Sequence, residues 1–217
     1  MHPGVQPPFD KVRLLVEGFE GLRSGAKYML LGLIFWVAGL LLVILVLLSG
    51  GLGGSSGTVL GLIVIIIGAV IGLYGLVRWM NGGKRFREFD EDLRYGELGP
   101  KYMLYSIPLL VLALLLLAGG IVIESALELI MGYILLVVSG IIALIGYILF
   151  GIFLLKLDNL RIDGVRMPDF NIDAILWFIG LLFSVLSIVA VILIHMHSNA
   201  AIERITSARY RAGIRVG

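Results

Sequence analysis

The chain has 217 residues, 59% of them apolar and only 15% charged, with a mean hydropathy of +1.05 and a formal net charge of +2. That balance is too apolar for an ordinary soluble domain and points to an all-α integral membrane protein of the cell membrane, multi-pass. Cysteine is absent and the net charge is small, which excludes a secreted disulfide scaffold, a disordered tail and a basic nucleic-acid binder.

Residues 1–27 read as a cytoplasmic amphipathic lead-in, with Phe9, Val12, Val16, Phe19 and Leu22 at helical spacing and charges on the other faces. The first apolar run follows at residues 28–48. It begins too far along and runs too long for a signal peptide. A Gly/Ser turn, residues 50–57, predicts a short connection to the second run, residues 58–77, so 28–77 form a first transmembrane hairpin. Residues 78–101 form a cytoplasmic basic and acidic segment, again with helically spaced apolar residues, Phe86, Phe89 and Leu93. The third and fourth runs, residues 102–123 and 127–155, make a second hairpin over 102–155, with Ser125 and Glu128 in the pattern of a capping box at its turn. A spanning helix needs about 20 residues, so the fourth run must tilt or project beyond the bilayer. After a loop at 156–171, Pro168, Asp169 and Asn171 signal a new helix start. The fifth run, residues 172–194, gives a fifth transmembrane helix over 172–197, followed by a basic C-terminal tail, 198–217.

The basic residues set the orientation. Thirteen of the 17 Lys and Arg fall in the segments before the first, third and fifth runs, and none falls in 49–57 or 124–126. The N-terminus is therefore expected inside and, with five spans, the C-terminus outside. The four tail residues Arg204, Arg209, Arg211 and Arg215 are the discordant element.

An internal repeat of about 71 residues organises the chain. Glu20-Gly21-Leu22-Arg23 returns as Glu91-Asp92-Leu93-Arg94 and, more weakly, as Asp158-Asn159-Leu160-Arg161; Lys27-Tyr28-Met29-Leu30 returns as Lys101-Tyr102-Met103-Leu104. The fold expected is two parallel helical-hairpin repeats plus one extra span, unlike the inverted repeats of many transporters. Small residues match between the second and fourth runs, Gly61, Gly68, Gly72 and Gly75 against Gly132, Ser139, Ala143 and Gly146, and Gly180, Ser184 and Ser187 extend the pattern to the fifth. Their spacing puts each set on one helix face, so spans two, four and five are expected to pack on one another or on a neighbouring subunit through these stripes. The acidic-x-Leu-Arg copies suggest an inner collar. In it Glu20, Glu91 and Asp158 would pair with Arg23, Arg94 and Arg161, while Leu22, Leu93 and Leu160 insert toward the membrane.

Motifs for chemistry are lacking. The sequence has no phosphate-binding Gly-rich loop with Lys, no zinc-protease helix, no serine-nucleophile elbow and no thiol. Beyond their first two positions, where Glu128 and Asp173 stand, the five runs hold no Asp, Glu, Lys, Arg or His, which weighs against a haem subunit and an ion-coupled pump. No enzyme activity, cofactor or resident metal is expected. The one constellation with metal-binding residue types is an outer cluster of Glu124, Glu128, His195 and His197, against which stand the capping role of Glu128 and the divergent faces of the two histidines.

Two segments carry a resemblance: Phe19-Glu20-Gly21-Leu22-Arg23-Ser24-Gly25 before the first run and residues 89–99, from Phe89 to Gly99, before the third. On these and on hydropathy, residues 15–155 resemble a family of archaeal multi-spanning membrane proteins of unknown function; the basic tail departs from that pattern. The resemblance implies a source and a topology, and no activity. Twelve Arg against five Lys and a single glutamine are compatible with a thermophile.

Two function classes follow. The first is a non-enzymatic structural or accessory membrane protein, a homo-oligomer or a subunit of a larger complex, with membrane lipids and a membrane-protein partner as its contacts. The second is a channel or carrier for an uncharged or lipid-like solute, which would need no charge within the membrane.

Overall fold

The computed structural model describes residues 8–48, 54–162 and 165–211. Helices α1 (Pro8–Leu48) and α2 (Gly54–Phe89) form a first hairpin, and a 3-10 turn (Glu91–Leu93) leads into α3 (Tyr95–Val122) and α4 (Ala126–Asp158), the second hairpin. Two two-residue strands, β1 (Arg161–Ile162) and β2 (Val165–Arg166), pair antiparallel before α5 (Phe170–Gly180) and α6 (Ser184–Arg211). The fold is therefore all-helical apart from that short bridge, and α1, α2, α3, α4 and α6 are each long and apolar enough to cross a membrane.

The lead-in and the first run form one unbroken helix because no breaker separates them. At 41 residues, α1 measures about 60 Å, twice a hydrocarbon core of about 30 Å. Its charged N-terminal half must therefore stand clear of any bilayer that its apolar half crosses, and the same holds for the charged C-terminal end of α2, from Arg78 on.

Each hairpin closes on a seam of small residues with a seven-residue period. Gly18, Gly25, Gly32 and Gly39 of α1 face Gly82, Gly75, Gly68 and Gly61 of α2. A methyl group built on Gly32 would lie 2.6 Å from the Gly68 carbonyl oxygen, and one on Gly68 2.7 Å from the Gly32 carbonyl oxygen. The second hairpin repeats the device with Gly99, Ser106, Ala113 and Gly120 of α3 buried against Gly132, Ser139 and Gly146 of α4. There the Ser139 hydroxyl donates to the Ser106 carbonyl at 2.9 Å across the seam. A seven-residue repeat keeps the small positions in register along two slightly supercoiled helices, and small side chains let their backbones approach.

These contacts revise the expected packing. The stripe of α2 faces α1 and that of α4 faces α3, so neither joins the other or the fifth run. Gly72 is the exception within its stripe, since a Cβ there meets nothing within 4 Å. Ala143 is only half-buried. Gly180 packs on Ser187 within one local hairpin, and the side chain of Ser184 lies outside the described residues.

The molecule has two levels. From 28 to 74 and from 102 to 145, every buried described residue is one of the seam's Gly, Ser or Ala, while Leu, Ile and Val side chains point outward. At the other end, here the base, large side chains form a true core: Leu15, Phe19, Trp79, Phe86, Phe150 and Phe153 are fully buried.

The fifth run is not a continuous helix. It breaks after Gly180, and α6 turns back antiparallel to α5, so that Gly180 meets Ser187 and Asp173 meets His197. The chain then descends along the lead-in half of α1: His195 Nδ1–H donates to the Arg23 carbonyl at 3.0 Å, and Ile205 joins the basal core. The described start of α1 and the end of α6 thus occupy the same end of the molecule. Part of the apolar surface of α6, at Ala190, Val191 and Ile194, joins the basal core with Phe19 and Leu22, while Val185, Val189, Ile192 and Met196 stay exposed.

Candidate functional site

The base is where polar and aromatic side chains converge. Asp169 caps α5 by accepting from the Asn171 amide at 3.2 Å, and this starts the helix at Phe170. One turn on, Asp173 points into the core with 0% exposure. His197 of α6 reaches its two carboxylate oxygens at 2.9 and 3.0 Å through Nδ1. Phe170 flanks the imidazole edge-on and stacks on Phe19 of α1. Burial pushes the Asp173 carboxyl up to about 6, opposed by the hydrogen bond and charge of His197 and reinforced by Asp169 and Asp158.

Above this pair runs an aromatic column. Trp79 stacks on Phe150 at 4.5 Å between centroids and meets Trp177 edge-on at 5.7 Å, while Tyr147 stacks on Trp177 at 4.3 Å. Each polar edge is satisfied by backbone: Trp79 Nε1 donates to the Leu22 carbonyl at 2.9 Å, Trp177 Nε1 to the Tyr147 carbonyl at 2.9 Å, and the Tyr147 hydroxyl to the Trp177 carbonyl. The column ties α1, α2, α4 and α5 together with groups that bury large areas in defined orientations. At the side, Arg23 donates to Asn199 at 3.0 Å, fixing α6 on α1. The Ser198 hydroxyl is buried with no hydrogen-bond partner among the described residues.

The collar residues stand differently from expectation. Leu22 and Leu93 are buried in the basal core and Leu160 packs against it, so none inserts toward lipid. Arg23 reaches Asn199, and Glu91 accepts from Arg87 at 3.1 Å, so Glu20–Arg23 and Glu91–Arg94 do not pair. Arg94 lies over the Tyr95 ring, and the side chain of Arg161 falls outside the described residues. Asp158 is half-buried near Asp173. Basic groups gather instead around an open cleft of about 410 Å³ between α1 and α2, bounded by Glu17, Glu20, Arg78, Asn81, Lys84 and Arg85.

The possible metal cluster is not assembled. Glu128 and Glu124 sit at the α3–α4 turn, where the Glu128 amide donates to the Ser125 hydroxyl at 3.4 Å and Glu124 takes the left-handed turn position with φ 54°. His195 and His197 lie at the base. No group of three or more metal-ligating side chains occurs among the described residues. Asp173, Trp79, Tyr147, Trp177 and Asn199 were not singled out by spacing. The seven-residue recurrence of Gly18, Gly25, Gly32 and Gly39 was the readable signal for the α1 side of the seam.

Neither a curated protein nor a solved structure matches the chain. A family model does, over residues 16–213, and it therefore includes the α5–α6 hairpin and most of the basic tail that the motif resemblance left aside. The chain belongs to DUF973, a protein family of unknown function.

Proposed function

We propose that this chain is a non-enzymatic structural or accessory protein of the cell membrane, self-associating or serving as a subunit of a larger complex. In this reading α1–α4 cross the bilayer through residues 28–77 and 102–145. The base, with α5 and α6, stays on the inner side. The observation that carries it is the outer half: two helical ribbons closed by glycine seams, with no core of large side chains and an outward coat of Leu, Ile and Val. Such ribbons need an apolar surround, supplied by lipid or by neighbouring subunits. The charge distribution supports the orientation, since residues 28–77 and 102–155 contain no Lys or Arg and Ile205, in the described part of the tail, joins the basal core. Arg78 and Lys84 beside the cleft are placed for lipid phosphates. The archaeal source remains part of this proposal.

The test is the mass of the protein extracted from native membranes into lipid nanodiscs, with its co-purifying neighbours identified. A homo-oligomer or a partner in fixed ratio is expected. A monodisperse monomer with no companion would overturn the reading.

A further inference from the structure

We infer that the tip of the α5–α6 hairpin, Leu181-Leu182-Phe183, is a bilayer-contacting surface seated at the inner lipid–water interface of the membrane that α1–α4 cross. The inference rests on the topology proposed above. It turns the last apolar run from a span into an interfacial anchor.

The first observation is the tip itself. Leu181, Leu182 and Phe183 are 46%, 81% and 63% exposed, three consecutive large apolar side chains at a turn that none of the other described residues covers. The second is its level. The Tyr147 hydroxyl donates to the Trp177 carbonyl and lies 3.0 Å from the Ser187 hydroxyl, while Gly180 packs on Ser187 and Tyr147, so the upper end of the hairpin is level with this part of α4. One residue earlier, Gly146 packs against the Gly99 carbonyl and the Met103 amide. The hairpin therefore ends beside Lys101–Met103 of α3, and its tip rises roughly one helical turn, about 5 Å, beyond.

The third observation marks what lies at that level. Tyr102 and Tyr105 are exposed there, with the Lys101 ammonium 5.9 Å from the Tyr105 ring. On the first hairpin, Tyr28 and Tyr74 meet edge-on at 4.8 Å just above Lys27 and Arg78. Tyrosines beside Lys and Arg at the ends of apolar spans form the belt that sits at the headgroup level. The fourth is the turn's backbone. The amides of Leu181, Leu182 and Phe183 donate to the carbonyls of Phe178 or Ile179, so the three residues that offer the apolar side chains have their own amides paired, as contact with the acyl boundary requires.

The chain lacks cysteine, which makes single-cysteine probes direct. Nitroxide-labelled Leu182→Cys, Ser207→Cys and Ala126→Cys would be reconstituted in vesicles of equal phosphatidylcholine and phosphatidylglycerol. Collision with oxygen and with a water-soluble nickel chelate reads depth, and an impermeant maleimide reads sidedness in oriented vesicles. The Leu182 label is expected to favour oxygen over nickel at a depth of roughly 5–10 Å, with Ser207 and Ala126 reacting from opposite faces. A Leu182 label as open to nickel as that at Ser207, or one at the bilayer centre, overturns the interfacial seating while opposite sidedness leaves the topology standing. Ser207 and Ala126 reacting from the same face would instead remove the topology, and this inference with it.

Discussion

Substituting alanine at Gly32 and at Gly72 separates a position whose side chain would enter the seam from one whose side chain would point away from it. At Gly32 the added methyl would stand 2.6 Å from the Gly68 carbonyl oxygen and 2.7 Å from the Gly72 amide nitrogen, both backbone atoms that no rotamer change moves aside. Helices α1 and α2 must then part at mid-seam, losing contact over the adjoining turns. Overpacking of this kind costs about 1–3 kcal/mol. At Gly72 nothing lies within 4 Å of the new methyl, so Gly72→Ala keeps the seam and gains about 0.5–1 kcal/mol of helix propensity. Unfolding in mixed micelles titrated with sodium dodecyl sulfate, followed by circular dichroism, should place Gly32→Ala below the parent and Gly72→Ala at or above it. Gly68→Ala should resemble Gly32→Ala, and the double variant should lose less than the sum because one separation relieves both clashes. Equal stability of Gly32→Ala and the parent, or an equal loss at Gly72, would refute the seam as a close-packed contact.

Trp79→Ala should destabilise the base by about 3–5 kcal/mol, because a fully buried ring with a hydrogen bond to the Leu22 carbonyl is removed; a melting midpoint within error of the parent would contradict this. Ser198→Ala should be neutral or raise stability by about 1 kcal/mol, since it removes a buried hydroxyl without a partner among the described residues; a marked loss would reveal a partner for that hydroxyl. Asp173 binds its proton more tightly folded, near 6, than unfolded, so its stabilising contribution is full below about pH 4 and is lost as pH rises through 6. That loss is about 3 kcal/mol at most. Melting curves of the parent and Asp173→Asn between pH 4 and 7 should therefore converge at the acid end with the parent falling relative to the variant above it, and parallel curves would show that the carboxyl does not titrate there.

Hydropathy and spacing alone determined the all-helical class, five helices of spanning length and apolarity, the repeat of two hairpins and the placement of most charges at one end. These are properties of local sequence, because length and apolarity settle whether a helix is long and apolar enough to cross, and a tight turn is announced by its cap, as at Ser125 and Asp169. The seam was half legible: the glycines of α2 and the small residues of α4 were visible as stripes, yet a stripe does not name its partner, and only tertiary packing showed that each faces the preceding helix of its own hairpin. Gly72 shares the spacing of its neighbours and its backbone lies against Gly32, but a side chain there would point out of the seam, and sequence spacing does not show that direction. The last run shows the limit most clearly. Residues 172–194 satisfy every length and polarity criterion for a span, and only the pairing of His195 with Arg23 and of His197 with Asp173 folds them back. Hydropathy measures how much a segment gains by leaving water and is blind to whether lipid or a protein core receives it; for Ala190, Val191 and Ile194 of α6 the receiving core includes Phe19, Leu22 and Ala26, more than 160 residues away in the chain.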